Sequence, residues 1–339
     1  MPPSNVAPLR SGTASTASDA VDVSCSMTGD VDEQAALLSD WAEKYQQISQ
    51  GSFTGKLHQV QFGKTQVFSE TASQRVHEVG AAWMGSLVLA LVRNASEPLR
   101  WRGYSAGATD VACFRGNHEF DIVVPACSEI LAVAICSDDF HRYAEAVSAD
   151  EAPLRSPKVP QLLSSPVHHS RLALLLDTTL QTVAEAPHLL LHAQAQKSLR
   201  EALYDQLIDL REDPQKTSVT LNSGRRCALV AAVRDYAQAQ SDNVPSVADL
   251  CQVFGVSRRS LQYAFEEVVG MNPVGYLRAL RLNGVRRAIK AAETNTPIME
   301  TAARWGFWHP SYFTASYKKL FGELPSATQQ RYTRSITAP

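Results

Sequence analysis

SVADLCQVFGVSRRSLQYAFEEVVG, residues 246–270, is the stretch on which the reading of the whole chain turns. Val247, Leu250, Cys251 and Phe254 recur at i, i+3, i+4 and i+7, which puts one apolar stripe on a helix, and Ser246 stands where an N-cap accepts a backbone N–H. Gly255 supplies a turn through positive φ that other residues make only at a cost. Ser257 then caps a second helix whose Leu261, Ala264, Phe265 and Val268 face inward, leaving Arg258, Arg259, Gln262 and Tyr263 outside. Arginine forks onto guanine and glutamine pairs with adenine in a major groove, and the second helix of such a pair is the one that enters it. For this segment alone, a solvated helix face is the bland alternative.

The pattern occurs again at 297–322, PIMETAARWGFWHPSYFTASYKKLFG. Pro297 suits a helix start, Ile298, Ala302 and Trp305 form an apolar face, and Gly306 is the turn. In the following helix Phe313, Tyr317 and Leu320 point inward, and Ser311, Tyr312, Thr314, Ala315, Lys318 and Lys319 are more exposed. The two turn glycines are 51 residues apart. Between them, Asn272 caps and Pro273 starts a helix of roughly 20 residues, about 30 Å long. A rod of that length would hold two reading helices near one turn of B-DNA, ~34 Å, apart, in successive major grooves.

Gly255, Ser257, Leu261, Phe265, Gly270, Pro273, Tyr276, Arg281, Ala288, Ile298, Ala302, Gly306, Phe307, Ser311, Tyr312, Phe313, Lys318, Gly322, Pro325 and Arg331 together form a spaced pattern that resembles the AraC/XylS family of bacterial transcription regulators. The resemblance covers 227–332. It implies base contacts from Arg259, Gln262 and Tyr263 in the first motif and from His309, Pro310, Ser311 and Ala315 in the second, with Arg258 near the backbone. Tyr263 and Ala315 stand where the family commonly has Arg, Gly284 where it has Ala and Tyr317 where it has Phe. Ala315 offers no hydrogen bond, so the second motif is expected to position more and discriminate less. Arg304, Lys318 and Lys319 are the expected phosphate contacts, and Arg281 is expected in a structural ion pair.

Upstream the period differs. Residues 1–29, rich in Ser, Ala and Thr, read as a disordered tail, and a helix-like run follows from Asp30. FTGKLHQVQF, KTQVFSET, SLVLALVRN, RWRGYSA, TDVACFR, EFDIVVP and EILAVAIC then read as short strands of an antiparallel sandwich or small barrel, giving a β domain over 30–140. Two long helices follow within 141–211, with either a dimer interface or their own barrel as the destination of their apolar faces. Polar, breaker-rich 212–226 reads as a linker. The expected fold class is α+β multidomain, and the resemblance implies that the N-terminal half is a cupin-like β-barrel or sandwich sensor with a helical dimerisation segment. The C-terminal half is all-α with two helix-turn-helix motifs.

Of the chain's 339 residues, those from 222 onward hold 15 Lys and Arg against 8 Asp and Glu, while the first 221 are net acidic by nine charges. A basic half suits a polyanion such as DNA. No apolar run reaches about 18 residues, so neither a membrane span nor export is expected, and six scattered cysteines fit a reducing cytoplasm. No GxSxG, P-loop or GxGxxG occurs, and His58, His77 and His118 have no metal-ligand spacing, so no enzyme, metal or cofactor is expected. For the sensor, Trp83, Trp101, Arg75 and Arg115 are candidate effector contacts, the arginines suited to a carboxylate or phosphate. The expected partners are promoter DNA, RNA polymerase, a small-molecule effector and a second copy of the chain. The competing reading is a DNA-binding domain fused to an enzymatic or alkyl-accepting N-terminal domain.

Overall fold

The computed structural model of the protein describes residues 21–147, 156–222, 224–240, 244–291 and 296–337. The N-terminal half contains strands β1 (Val21–Thr28), β2 (Ala42–Gln47), β3 (Gly55–Phe62), β4 (Thr65–Ala72), β5 (Val76–Ala81), β6 (Ser86–Arg93), β7 (Leu99–Trp101), β8 (Tyr104–Ala106), β9 (Asp110–Arg115), β10 (Phe120–Val124), β11 (Ser128–Cys136), β12 (Gln161–Ser164) and β13 (Thr217–Thr220). With them go helices α1 (Val31–Ala35), α2 (Ser137–Val147), α3 (Pro166–Glu185) and α4 (Ala193–Glu212). The C-terminal half is helical: α5 (Arg225–Ala239), α6 (Val247–Val253), α7 (Arg258–Val268), α8 (Pro273–Ala291), α9 (Ile298–Arg304), α10 (Pro310–Phe321) and α11 (Pro325–Thr337).

Two antiparallel sheets, ordered β1-β3-β4-β11-β6-β9-β12-β13 and β2-β5-β10-β7-β8, lie face to face without closing, so the fold is the sandwich rather than the barrel. Strand β11 explains the layering. Its Ile130, Ala132 and Ala134 enter the space between the sheets, and its Leu131, Val133 and Ile135 enter the layer beneath α2, α3 and α4. Both faces are buried, which is why this strand reads as an unbroken apolar run. Leu172, Leu176 and Leu180 of α3 and Leu203 and Leu207 of α4 pack into that outer layer, so the wide apolar faces of these helices cover their own sheet. Leu174 and Leu191 remain outside at 68% and 72% exposure.

Several expectations are corrected. The tail read to residue 29 contains β1, which pairs with β3 from Val21–Phe62 to Thr28–Gly55; residues 1–20 lie outside the described residues. The helical run from Asp30 stops after one short helix, because Asp40 turns at φ 64° and residues 42–47 find backbone partners on β5. The stretch read as a linker carries β13, which pairs with β12 and extends the large sheet.

The helical half packs on the outer face of the small sheet, where Ile48 and Val123 join the helical core. His77 sits 2.7 Å from the Tyr276 hydroxyl of α8 and, through its other ring nitrogen, 2.7 Å from Asp121, which also receives Arg234 of α5. Burial alone would raise the Asp121 carboxyl, but His77 and Arg234 hold it down to about 2. A second cluster ties α1 to α8. Asp30, 1% exposed, caps α1 through the amides of Asp32 and Glu33 and pairs with Arg286 at 2.7 Å and Lys290 at 2.6 Å. Burial works against its ionisation, and the two cations still keep it below the ordinary carboxylate value. Arg287 adds a bond to Asp32 at 2.6 Å, and Asn283 exchanges hydrogen bonds with the Gln47 backbone at 3.2 and 2.9 Å.

Candidate nucleic-acid interface

The first motif is built by local chemistry. Ser246 and Asp249 form a reciprocal capping box, Ser246 N donating to Asp249 Oδ2 at 2.8 Å and Asp249 N to Ser246 Oγ at 3.2 Å. Gly255 at φ 62° turns the chain, and Ser257 Oγ accepts the Ser260 amide at 3.0 Å to start α7. Leu261, Ala264, Phe265 and Val268 are buried against α5 and α8, which leaves Arg258, Arg259, Gln262 and Tyr263 exposed on one face. Two of these are held in place: Arg259 donates to the Tyr263 hydroxyl at 3.0 and 2.8 Å, and Gln262 donates to Glu266 at 2.9 Å.

The second motif repeats this after α8, packing along it beside Arg278, Arg281 and Gly284. Gly306 turns at φ 77°, Pro310 opens α10, and Phe313, Tyr317 and Leu320 are buried. His309, Pro310, Ser311, Ala315, Lys318 and Lys319 are exposed. Arg304 is exposed but pairs with Glu300 at 2.9 Å, one turn back on α9. Reading the sequence missed Trp308, which is 78% exposed beside His309, and Arg278, whose guanidinium lies 5.6 Å from the centre of the exposed Tyr312 ring. The available signal for Trp308 was an aromatic in a turn, off the apolar stripe.

The structure also revises two residues. Arg281 has no acidic partner among the described residues: its Nε donates to the Leu277 carbonyl at 3.2 Å and its guanidinium lies 5.6 Å from the Phe307 ring centre. The structural ion pairs fall instead to Arg286, one turn further on. Gly284 is a packing glycine, since a Cβ there would lie 2.3 Å from Trp305 Cη2.

In the N-terminal half, a cavity lies between the sheets, lined among others by Trp41, Phe68, Trp101, Phe114 and Ile122. Trp83, Arg75 and Arg115 do not line it. The Arg75 guanidinium reaches the other way, donating to the Val269 carbonyl of the helical half at 3.0 Å, and Arg115 donates to the Ser156 carbonyl at 2.9 Å. Among the described residues no cluster of three His, Cys, Asp or Glu side chains is placed to hold a metal ion, and no helix is long and apolar enough to cross a membrane.

Residues 250–331 match the helix-turn-helix domain family. The chain is 30% identical over 139 residues to the "Probable thc operon regulatory protein" of Rhodococcus erythropolis, covering 41% of this chain and 42% of that one. It is 38% identical over 84 residues to the "XylDLEGF operon transcriptional activator 2" of Pseudomonas putida, covering 24% of this chain and 54% of that one. These matches span about half of the curated relatives' own length. Among solved structures it is similar to ToxT from Vibrio cholerae O395, at 13% identity and a TM-score of 0.30, over 87% of this chain and 99% of that one.

Proposed function

We propose, from the premise that this chain belongs through residues 250–331 to the AraC/XylS family of helix-turn-helix regulators, that it is an effector-responsive transcriptional activator acting at promoter DNA. One observation carries the reading: α8 joins two glycine-turned helix pairs, and both second helices present polar, exposed faces. Arg259, Gln262, Tyr263, His309 and Ser311 are the proposed base contacts, and Arg258, Arg304, Lys318 and Lys319 the proposed phosphate contacts. The intersheet cavity is the proposed effector site, and its ligand acts through the contacts between the sandwich and α8. RNA polymerase is the proposed recipient of the signal. Self-association is proposed through 166–211, where Leu174 and Leu191 stand exposed.

An alkyl-accepting N-terminal half needs an activated thiol. Cys113 and Cys136 are buried, burial pushes the Cys113 thiol up to about 11, away from thiolate, and the exposed Cys25 and Cys127 do not line the cavity. Nothing in the cavity favours that reading over a ligand site.

The test is selection of genomic fragments by the purified protein, repeated with a panel of small metabolites. Fragments clustering beside one operon, with retention altered by a metabolite, support the proposal. Uniform retention that no metabolite alters rejects it.

A further inference from the structure

Charge inside the intersheet cavity is one-sided. Its walls include Glu43 on β2, Glu70 on β4, Glu78 on β5 and Asp110 on β9, and, among the described residues, no Lys, Arg or His. Three of these carboxyls gather at one place. The Tyr45 hydroxyl lies 3.1 Å from Glu43 and 3.1 Å from both oxygens of Glu70, and Glu78 stands opposite Tyr45 across the β2–β5 pair. Gln34 of α1 donates to Glu70 at 3.0 Å. These donors leave most of the acceptor sites of three carboxylates empty.

Glu78, 3% exposed, receives no hydrogen bond from the described residues. Buried polar groups in folded proteins are nearly always satisfied, so an unpartnered acceptor beside a cluster of acceptors marks a place for a donor-rich ligand. A metal ion does not meet the need, because these carboxyls are not grouped at ligand geometry. The rest of the wall is apolar and aromatic, the kind of lining small-molecule sites have.

We propose that the cavity takes a small organic amine, its ammonium held by Glu43, Glu70 and Glu78 and its apolar body lying along Trp41, Phe68, Trp101 and Phe114. The ammonium has three N–H donors, matching the acceptors left open, and aromatic faces favour a cation further. A carboxylate or phosphate would meet four acidic side chains and no counter-charge. This deepens the regulator reading by naming the effector's chemical class, and it replaces the anionic ligand that the arginines of the sequence suggested.

The experiment is calorimetry and tryptophan fluorescence on the full chain with 2-phenylethylamine, tryptamine and hexylamine, each alongside its alcohol and carboxylate counterpart. The expected result is binding by at least one amine, with its counterparts weaker by about tenfold or more. Glu78→Gln should weaken that amine about tenfold while leaving the fold intact, as circular dichroism would report. Ala90→Phe, which fills the cavity from β6, should abolish binding of all three classes. The proposal is overturned if carboxylates or alcohols bind as well as the amines, if none of the nine compounds binds at about 1 mM, or if Glu78→Gln leaves the amine's affinity unchanged. The two readings fail separately. A bound carboxylate that alters operator retention removes the amine and leaves the regulator, whereas uniform DNA retention removes the regulator and leaves the binding preference measured.

Discussion

Arg259 shows how a proposed base contact is kept ready. Its guanidinium donates twice to the Tyr263 hydroxyl and lies 5.3 Å from that ring's centre, so its rotamer is restrained before DNA arrives. Arg259→Ala or Gln262→Ala should therefore cost operator binding about 1–3 kcal/mol and cost random DNA much less. Gel shifts on both DNAs check this, and equal losses would remove the base-reading role. A different residue-scale effect comes from the cavity. Burial pushes Glu70 up to about 7 from an ordinary 4.5, and burial with the neighbouring Glu70 and Glu43 charges raises Glu78 as well. A carboxyl raised in the folded state binds its proton more tightly there than in the unfolded chain, so its contribution is complete below the unfolded value and is lost as pH rises through the folded one. Melting temperature should accordingly carry a component that falls between pH 4.5 and about 7, and Glu70→Gln should flatten it. An unchanged slope in the variant would show that Glu70 is ionised throughout.

Among the elements, α8 and α9 are matched by Gly284, over which the Trp305 ring lies so closely that a methyl group there would overlap it. Gly284→Ala should lower stability by about 1–3 kcal/mol, although alanine is the better helix former, and Trp305→Leu in the same chain should restore part of it. Thermal melts of the single and double variants decide this; a stabilised single variant would mean that the ring moves freely. On α10, Lys318 and Lys319 are exposed in the last turn. Replacing both with alanine should weaken all DNA alike and reduce the salt slope by about 2, one for each lost phosphate contact. A change of base preference would place them in the groove instead. The helix-turn-helix elements were legible because their signals are local: the caps at Ser246 and Ser257, the turn at Gly255 and the apolar stripe lie within a dozen residues of one another. Strand β13, Thr217–Thr220, is exposed at all four positions, so no apolar alternation betrayed it, and only β12 makes it a strand. In β2 a run with helical spacing was overridden by pairing to β5, a partner some 35 residues away in sequence.

For the whole molecule, the proposed route from cavity to DNA runs through α1. Gln34 bonds the cavity carboxyl Glu70 from one side of this helix, and its N-cap Asp30 holds Arg286 and Lys290 of α8 from the other end. The Asp30–Arg286 pair spans 256 residues of sequence, so neither charge announced its partner, and the sensor's own arginines drew attention to Arg75 and Arg115 instead. An ammonium that engages Glu70 competes with the Gln34 amide, and any shift of a helix five residues long is delivered to its cap. The two sites are then coupled by a free energy that must be reciprocal: if ligand changes operator affinity, operator changes ligand affinity by the same factor. Gln34→Leu should retain both DNA binding and amine binding while bringing that factor toward one. Asp30→Asn leaves Arg286 short of a buried counter-charge, which should cost about 3–5 kcal/mol of stability and make operator affinity insensitive to ligand. Fluorescence titrations of operator with and without the amine, run on both variants and the parent, measure the coupling directly. If Gln34→Leu and the parent show the same factor, the signal leaves the sandwich elsewhere, and His77 between Asp121 and Tyr276 is the next place to cut.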